Sequence, residues 1–492
     1  MTESPPPEDP RDALIREQAG QIAALTALVA ELREQLGAAL RAASRNSGNS
    51  SMPPSGDDLP GRQPPARKER RAAGRAEKKR NRGKQPGAPG AAMRWRKADE
   101  VVDHFPQGAC GCGLDLADAA DLGVVRSYQQ EDVPEPRPVT RYQHDLHRAR
   151  CTCGRVHVAP RPAGVPDAPL SVGPRLSAMA VYLSVFQHVP VERAQLLIAD
   201  LTGGVLSAGF VHSCLGKAAG LVKDAVRLTR TLIAAAPVAG FDETTLRSGP
   251  AGEKKYVHGA FTELYSAFHL GTRSLETMKE AGILPFFTGI AVSDRYKGYW
   301  SETWENLTGR QACAAHILRD LQDCAESYPG AGWPEQAVRA LRGLVHAWHA
   351  AREQGLHAIP SGIREPLETE FRRAVAVGLA GVPRVPGPKN TVKQKPGREL
   401  LEFCRDRRDD VLRFATDTSV WPTNNISERG VRPLKTQQKI SGRLTSDDVT
   451  QDRLDIRGYI DTARKHGLGA YEVLHQLMTG NPWLPPAQLI SP

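Results

Sequence analysis

Residues 421–442 read WPTNNISERGVRPLKTQQKISG and set one acid, Glu428, in a field of bases: Arg429, Arg432, Lys435 and Lys439. Asn424, Asn425 and Ser427 precede the acid, and all are residue types that cap helix N-termini. The stretch therefore predicts a helix with Glu428 in its first turn. Arg432 follows four residues on and Lys435 seven on, so both share the face of the acid. A carboxylate binds a hard cation, while guanidinium and ammonium groups bind phosphate oxygens. The pattern suits a site that holds a divalent metal and handles phosphate. The competing reading is a solvated, salt-bridged surface helix.

Two upstream segments favour the site. VAGFDETTLR, residues 238–247, puts Asp242 at the end of an apolar run over 238–241 that predicts a buried strand. TGIAVSDRYKGYW, residues 288–300, puts Asp294 at the end of a second run over 290–292. Acids at strand ends lie at the rim of a sheet, where open α/β folds build their sites. Taken singly, each aspartate reads as a turn residue or cap. Together with Glu428 they make a cage for two Mg²⁺ ions about 3.5–4 Å apart, one activating an attacking oxygen and one stabilising a leaving oxygen. Glu243 neighbours Asp242, but adjacent strand residues point to opposite faces, so only Asp242 is expected in the cage. Cys313, His316 and Asp320 suggest a second metal or nucleophile site. Their helical spacing reads more simply as a core-facing stripe, with His316 or Arg319 near the acids.

These segments, with CAAHILRD at 313–320 and YIDTARKHG at 459–467, resemble the IS66-type insertion-sequence transposases of bacteria. The resemblance runs from about residue 12 to about residue 485 and is most specific over 424–442. It implies an RNase H-like core with a DDE triad, carried onto Asp242, Asp294 and Glu428. One departure is Arg295, which follows the second acid where the family often has glycine and is expected to set a guanidinium beside the metal site.

The chain has 492 residues, enough for several domains, and a net charge of +10 that favours a polyanionic partner. No apolar run is long enough to span a membrane. The N-terminus, MTESPPPEDPRD, is acidic and proline-rich, unlike a signal peptide. Eight cysteines do not make a disulfide scaffold in a chain this long, so a reducing cytoplasm is expected, with association to the nucleoid.

Residues 12–43 carry heptads, with Ile15, Ile22, Val29 and Leu36 at a and Gln18, Leu25, Leu32 and Ala39 at d. That pattern predicts a two-stranded coiled coil, or a helix packed on the body of the protein. A Ser/Pro/Gly-rich linker follows at 44–65, within a disordered stretch taken as 44–100. Residues 66–84 hold ten Lys/Arg against two Glu and no aromatic, among them Arg67, Lys68, Arg70, Arg71, Lys78, Lys79 and Arg80. Such an arm predicts phosphate contacts without sequence readout.

GACGCGLDL and RARCTCGRVH then supply Cys110, Cys112, Cys151 and Cys153. Two close pairs predict one structural Zn²⁺ in a zinc-finger-like module over 101–160. Both pairs are C-x-C rather than C-x-x-C, and His104 or His157 is an alternative ligand. Residues 165–235 read as helical. VERAQLLIADLTGGVLSAGFVHSCLGKA resembles a helix-turn-helix or an ordinary αα-hairpin.

The fold expected is multidomain α+β. A coiled coil, a zinc module and a helical domain precede an RNase H-like α/β core. That core is split into 236–312 and 416–445 by a helical insertion at 313–415, and a helical tail covers 446–492. The function expected is metal-dependent cleavage and strand transfer of double-stranded DNA at the ends of an insertion sequence, with Arg429, Arg432 and Lys435 on the flanking phosphates. Self-association is expected, and accessory proteins of the element are possible partners. The alternatives are a non-catalytic DNA-binding regulator or domesticated derivative, and a simple nuclease.

Overall fold

The structure is a computed structural model. It describes residues 17–29, 31–32, 35–36, 95–130 except 114 and 119, 138–170 except 163, 164, 166 and 169, and 171–487 except 251–252 and 388–391. The linker at 44–65 and the basic arm at 66–84, including Arg67, Lys68, Arg70, Arg71, Lys78, Lys79 and Arg80, lie outside the described residues. The chain divides into two units, one of Pro65–Thr140 and one of Met1–Pro64 with Arg141–Pro492.

In the smaller unit, Cys110 opens a tight turn in which the Gly113 amide donates to the Cys110 carbonyl at 2.8 Å. Gln129 exchanges two hydrogen bonds with the backbone of Arg96, tying segments far apart in sequence. None of this unit's described residues is buried.

The larger unit has a helix at residues 17–29 whose apolar side chains are exposed. Strands β1 (Arg148–Arg150) and β2 (Val156–Val158) form an antiparallel hairpin, exposed throughout, with Cys151 and Cys153 in its turn. Helices α1 (Pro174–Val181), α2 (Val191–Thr202) and α3 (Ala208–Ala234) follow. Gly203, at φ 67°, ends α2 in the left-handed region, and the Ser207 hydroxyl caps α3 by accepting from the Phe210 amide.

The sheet comes next. Strands β3 (Val238–Leu246), β4 (Lys255–Phe261) and β5 (Ser266–Gly271) make an antiparallel meander. Helix α4 (Leu275–Glu280) leads to β6 (Ile290–Ser293) and β7 (Gly309–Ala312), which run parallel to β3. The order across the sheet is β5-β4-β3-β6-β7.

Five helices follow: α5 (Ala314–Ser327), α6 (Trp333–Glu353), α7 (Ser361–Gly381), α8 (Arg398–Asp406) and α9 (Arg408–Thr416). The chain then returns to the sheet as α10 (Asn425–Ser441) and α11 (Asp447–Lys465), and ends on α12 (Ala470–Met478).

Several apolar cores hold this unit. Phe241, Ala260, Phe287, Tyr299 and Trp304 pack against one side of the meander. Val257, Phe261 and Phe268 pack on Val431 and Leu434 of α10 and Leu454 of α11. Val292 and Ala312 join Ile317, Leu344, Phe371 and Trp421 in the largest cluster, which seats helices α5–α9 on β6 and β7. A further helical core joins Val222 of α3 to Tyr459 and Leu474 from the end of the chain.

Two details depart from the sequence expectation. The strand that carries Asp242 does not end there but runs on to Leu246. Strand β7, which is polar in sequence, was not expected. Its buried Gln311 donates to the Val411 carbonyl and accepts from the Phe414 amide, so helix α9 satisfies the polar side chain.

Candidate active site

Strand β3 pairs with β6 only over Val238–Gly240 and then continues with β4 alone. Asp242 therefore stands where the sheet forks, two residues past the last parallel pair. Asp294 immediately follows β6. Its carboxylate accepts from the Tyr296 amide at 2.9 Å and its carbonyl accepts from the Trp300 indole at 2.7 Å, which fixes the loop that carries it.

Glu428 lies in the first turn of α10. That turn rests directly on β3 because Gly240 has no side chain: a Cβ there would lie 2.3 Å from Ser427 Oγ and 2.9 Å from Asn424 Oδ1. Asn424, the residue before α10, does not cap the helix with its side chain. Instead its Nδ2 donates to the Phe241 carbonyl at 2.7 Å, and its backbone N–H donates to Cys313 Sγ at 3.2 Å. One residue thus ties the glutamate helix both to the strand of Asp242 and to the start of α5.

Electrostatics draw the same residues together. Burial pushes the Asp242 carboxyl well above the usual range, the charges of Glu243, Asp294 and Glu428 push it further, and His316 opposes them. Burial works against a charged His316, yet the Cys313 sulfur and the Asp294 and Glu428 carboxylates outweigh it and raise the imidazole to about 9. His316 Nδ1 lies 3.8 Å from Glu428 Oε1, and both atoms are buried without a hydrogen-bond partner. Carboxylates crowded in a low-dielectric pocket, with lone pairs unsatisfied, suit a divalent cation.

Cys313 and His316 are more than a core stripe, since both face Glu428. The C-x-x-H spacing at the start of a helix was the sequence signal for this. Asp320 belongs elsewhere, paired with Arg295. The Arg295 guanidinium, expected beside the metal site, pairs with Asp320 and lies over the Phe403 ring of α8. Arg273 Nε donates to Glu243 at 2.8 Å, and the same guanidinium stacks on Tyr296 at 3.8 Å. The second Glu243 oxygen is buried without a partner, its charge acts on Asp242, and burial and then Asp294 raise its carboxyl.

Of the bases on α10, Arg429 and Arg432 are exposed. Lys435 is half-buried and donates to the carbonyl and hydroxyl of Thr245 on β3. Burial, then Arg247 and Lys254, lower its ammonium to about 8. The thiols of Cys110, Cys112, Cys151 and Cys153 are all exposed. Hydrogen bonds from the Cys153 backbone and side chain, with one from Thr152, hold Cys151 below its ordinary value. Among the described residues, no helix is long and apolar enough to cross a membrane.

Residues 170–452, more than half of the chain, match the family described as "Transposase IS66 family". Residues 3–94 match a family of unknown function. A protein of Sinorhizobium fredii described as "Uncharacterized protein y4qI" is 24% identical over 200 residues, which are 39% of this chain and 36% of that protein. The chain thus spans little more than a third of that relative's length.

Proposed function

This chain belongs to the IS66 transposase family, and on that premise we propose that it cleaves double-stranded DNA at the ends of an insertion sequence and joins those ends to a target. The observation that carries the proposal is that Asp294 and Glu428, from separate elements, both bring negative charge to bear on the buried Asp242 carboxyl. The sheet order, with an antiparallel meander extended by two parallel strands, supports an RNase H-like core in which these three are the DDE acids. Two Mg²⁺ ions held by the triad would supply the charge that activates the attacking oxygen and stabilises the leaving one. Asn424 and Gly240 position Glu428 against β3, and the Trp300 and Tyr296 contacts position Asp294. Arg429 and Arg432, exposed on the same helix, would hold flanking phosphates.

The remaining modules serve recognition and assembly in this reading. The basic arm holds DNA through its phosphates. The exposed cysteine turns bind structural Zn²⁺, which would give a segment without buried side chains the folding energy it lacks. The N-terminal helix joins protomers, accessory proteins of the element are further partners, and the protein works at the nucleoid.

The test is a strand-transfer assay with the element's own ends under Mg²⁺. Asp242→Asn, Asp294→Asn and Glu428→Gln should each abolish cleavage and joining while sparing end binding, because each removes a ligand charge at nearly constant volume. Near-normal activity in any of them would remove that residue from the triad. Wild-type protein that binds ends but never cleaves under any divalent ion would instead be a DNA-binding regulator.

A further inference from the structure

We infer that Cys313, His316 and Glu428 form a second cation site, specific for a soft divalent ion such as Zn²⁺, that competes with the catalytic Mg²⁺ ions for Glu428. The competition rests on the reading of Glu428 as the third acid; the zinc site itself does not. Cys313 caps α5 and His316 follows three residues on, so both side chains leave the same face of the helix start. Glu428 reaches them from α10. One donor atom from each lies within 4.8 Å of the other two.

The separation of His316 Nδ1 from Glu428 Oε1 is 3.8 Å. A tetrahedral ion with bonds of about 2.0–2.3 Å spaces its ligands roughly 3.3–3.8 Å apart, so a shift of a few tenths of an ångström closes the His316–Glu428 pair. His316 Nδ1 and Glu428 Oε1 are buried with no partner. Cys313 Sγ already accepts the Asn424 N–H, a contact that supports a metal-bound thiolate.

The chemistry of the set selects the ion. Mg²⁺ prefers an all-oxygen shell and gains little from sulfur or imidazole. Thiolate, imidazole and carboxylate together suit Zn²⁺, and three protein ligands leave its fourth position open. On binding, the Cys313 thiol proton and the His316 imidazolium proton leave to solvent, and S–Zn and N–Zn bonds replace the S–H and N–H bonds. Glu428 Oε1 would then be occupied, and the Mg²⁺ pair would lack that ligand. Zinc would thereby hold the enzyme inactive without unfolding it.

Zinc counting on the full-length protein, by equilibrium dialysis at fixed free Zn²⁺, tests this without any DNA chemistry. Wild type is expected to bind one ion more than either Cys313→Ala or His316→Gln. Cys151→Ser, which lies in a different cysteine turn, should retain that ion. Even an outer-shell partner of a metal ligand is worth roughly 10–100-fold in affinity, so each ligand variant should weaken this site by at least about 10-fold. In wild type, raising Mg²⁺ should weaken zinc binding at this site. Circular dichroism confirms that the variants fold, and the second variant covers a failure of the first.

Equal zinc counts in wild type and both variants would overturn the site. Zinc binding indifferent to Mg²⁺ would overturn the competition. If zinc counting succeeds but Glu428→Gln still joins DNA ends, the error lies in the assignment of the triad and not in the zinc site.

Discussion

Gly240 shows how one missing side chain sets how closely a helix approaches a strand. Its bare backbone lets Ser427 and Asn424 touch β3, and Glu428 is one residue beyond Ser427. Gly240→Ala should cost about 1–3 kcal/mol of stability from overpacking. It should also displace Glu428, and a shift of about 1 Å at a reacting centre can cost roughly 100-fold in rate. Adding Ser427→Ala removes the nearest clashing atom and should restore part of the joining rate; equal losses in the single and double variants would mean the contact does not position Glu428. His188 makes a second residue-scale case. It is buried at φ 58°, where its Nε2 faces Arg457. Burial, then Arg457 and Arg453, lower its imidazole to about 4. The unfolded chain therefore takes up a proton between about pH 6.5 and 4 that the folded chain refuses. Stability from the neutral ring is complete above about pH 6.5 and is lost as pH falls toward 4, by about 2 kcal/mol at pH 5. Asparagine tolerates the left-handed backbone and does not titrate. Urea melts at pH 7.5 and 5 should therefore show His188→Asn losing about 2 kcal/mol less than wild type over that interval.

At the scale of elements, α10 joins chemistry to architecture. Its first turn presents Glu428, its middle buries Val431 and Leu434 on β4 and β5, and Lys435 reaches across to Thr245. This separates two bases that share a helix face in sequence. Lys435→Met removes charged hydrogen bonds to β3 and should cost about 1.5–3 kcal/mol of stability, with little change in DNA affinity. Arg432→Ala should leave stability unchanged, weaken binding to all DNA sequences alike and lower the log–log salt slope by about 0.9. Salt-dependent binding curves for the two variants decide between these roles, and a lower slope for Lys435→Met would return it to the DNA surface. The sequence told much about these elements where apolar periodicity was strong. Strands β3, β4 and β6 and the start of α10 with Glu428 in its first turn were all expected from local pattern. Strand β7 was hidden because G-R-Q-A looks like a loop until Gln311 meets the backbone of α9. The role of Asn424 was hidden too: as a residue type it promised a cap, but its side chain instead bonds the Phe241 carbonyl across the fold.

Across the whole molecule, the positions of Asp294 after β6 and Glu428 in the first turn of α10 were legible from local signals, whereas the partnership of distant helices was not. The packing of α11 and α12 against α1 and α3 joins residues more than 200 positions apart, and nothing local in either segment announces the other. The N-terminal helix poses the opposite case, a strong pattern whose cover is not within the described residues. Ile22, Leu25, Val29, Leu32 and Leu36 are 65%, 60%, 45%, 53% and 61% exposed. These are the a and d positions of the heptads, and a stripe of that spacing left in water is unfavourable unless another helix covers it. A second copy offers the matching stripe, and joining two DNA ends needs two protomers in one complex. Leu25→Lys with Leu32→Lys would place two ammonium groups in a seam too narrow to solvate them. Sedimentation should then show the wild-type assembly reduced to monomers, and a gel shift should keep single-end binding while the paired-end band disappears. An unchanged assembly with normal pairing would take the stripe out of the protomer contact and move the search for it to the helices of residues 314–416.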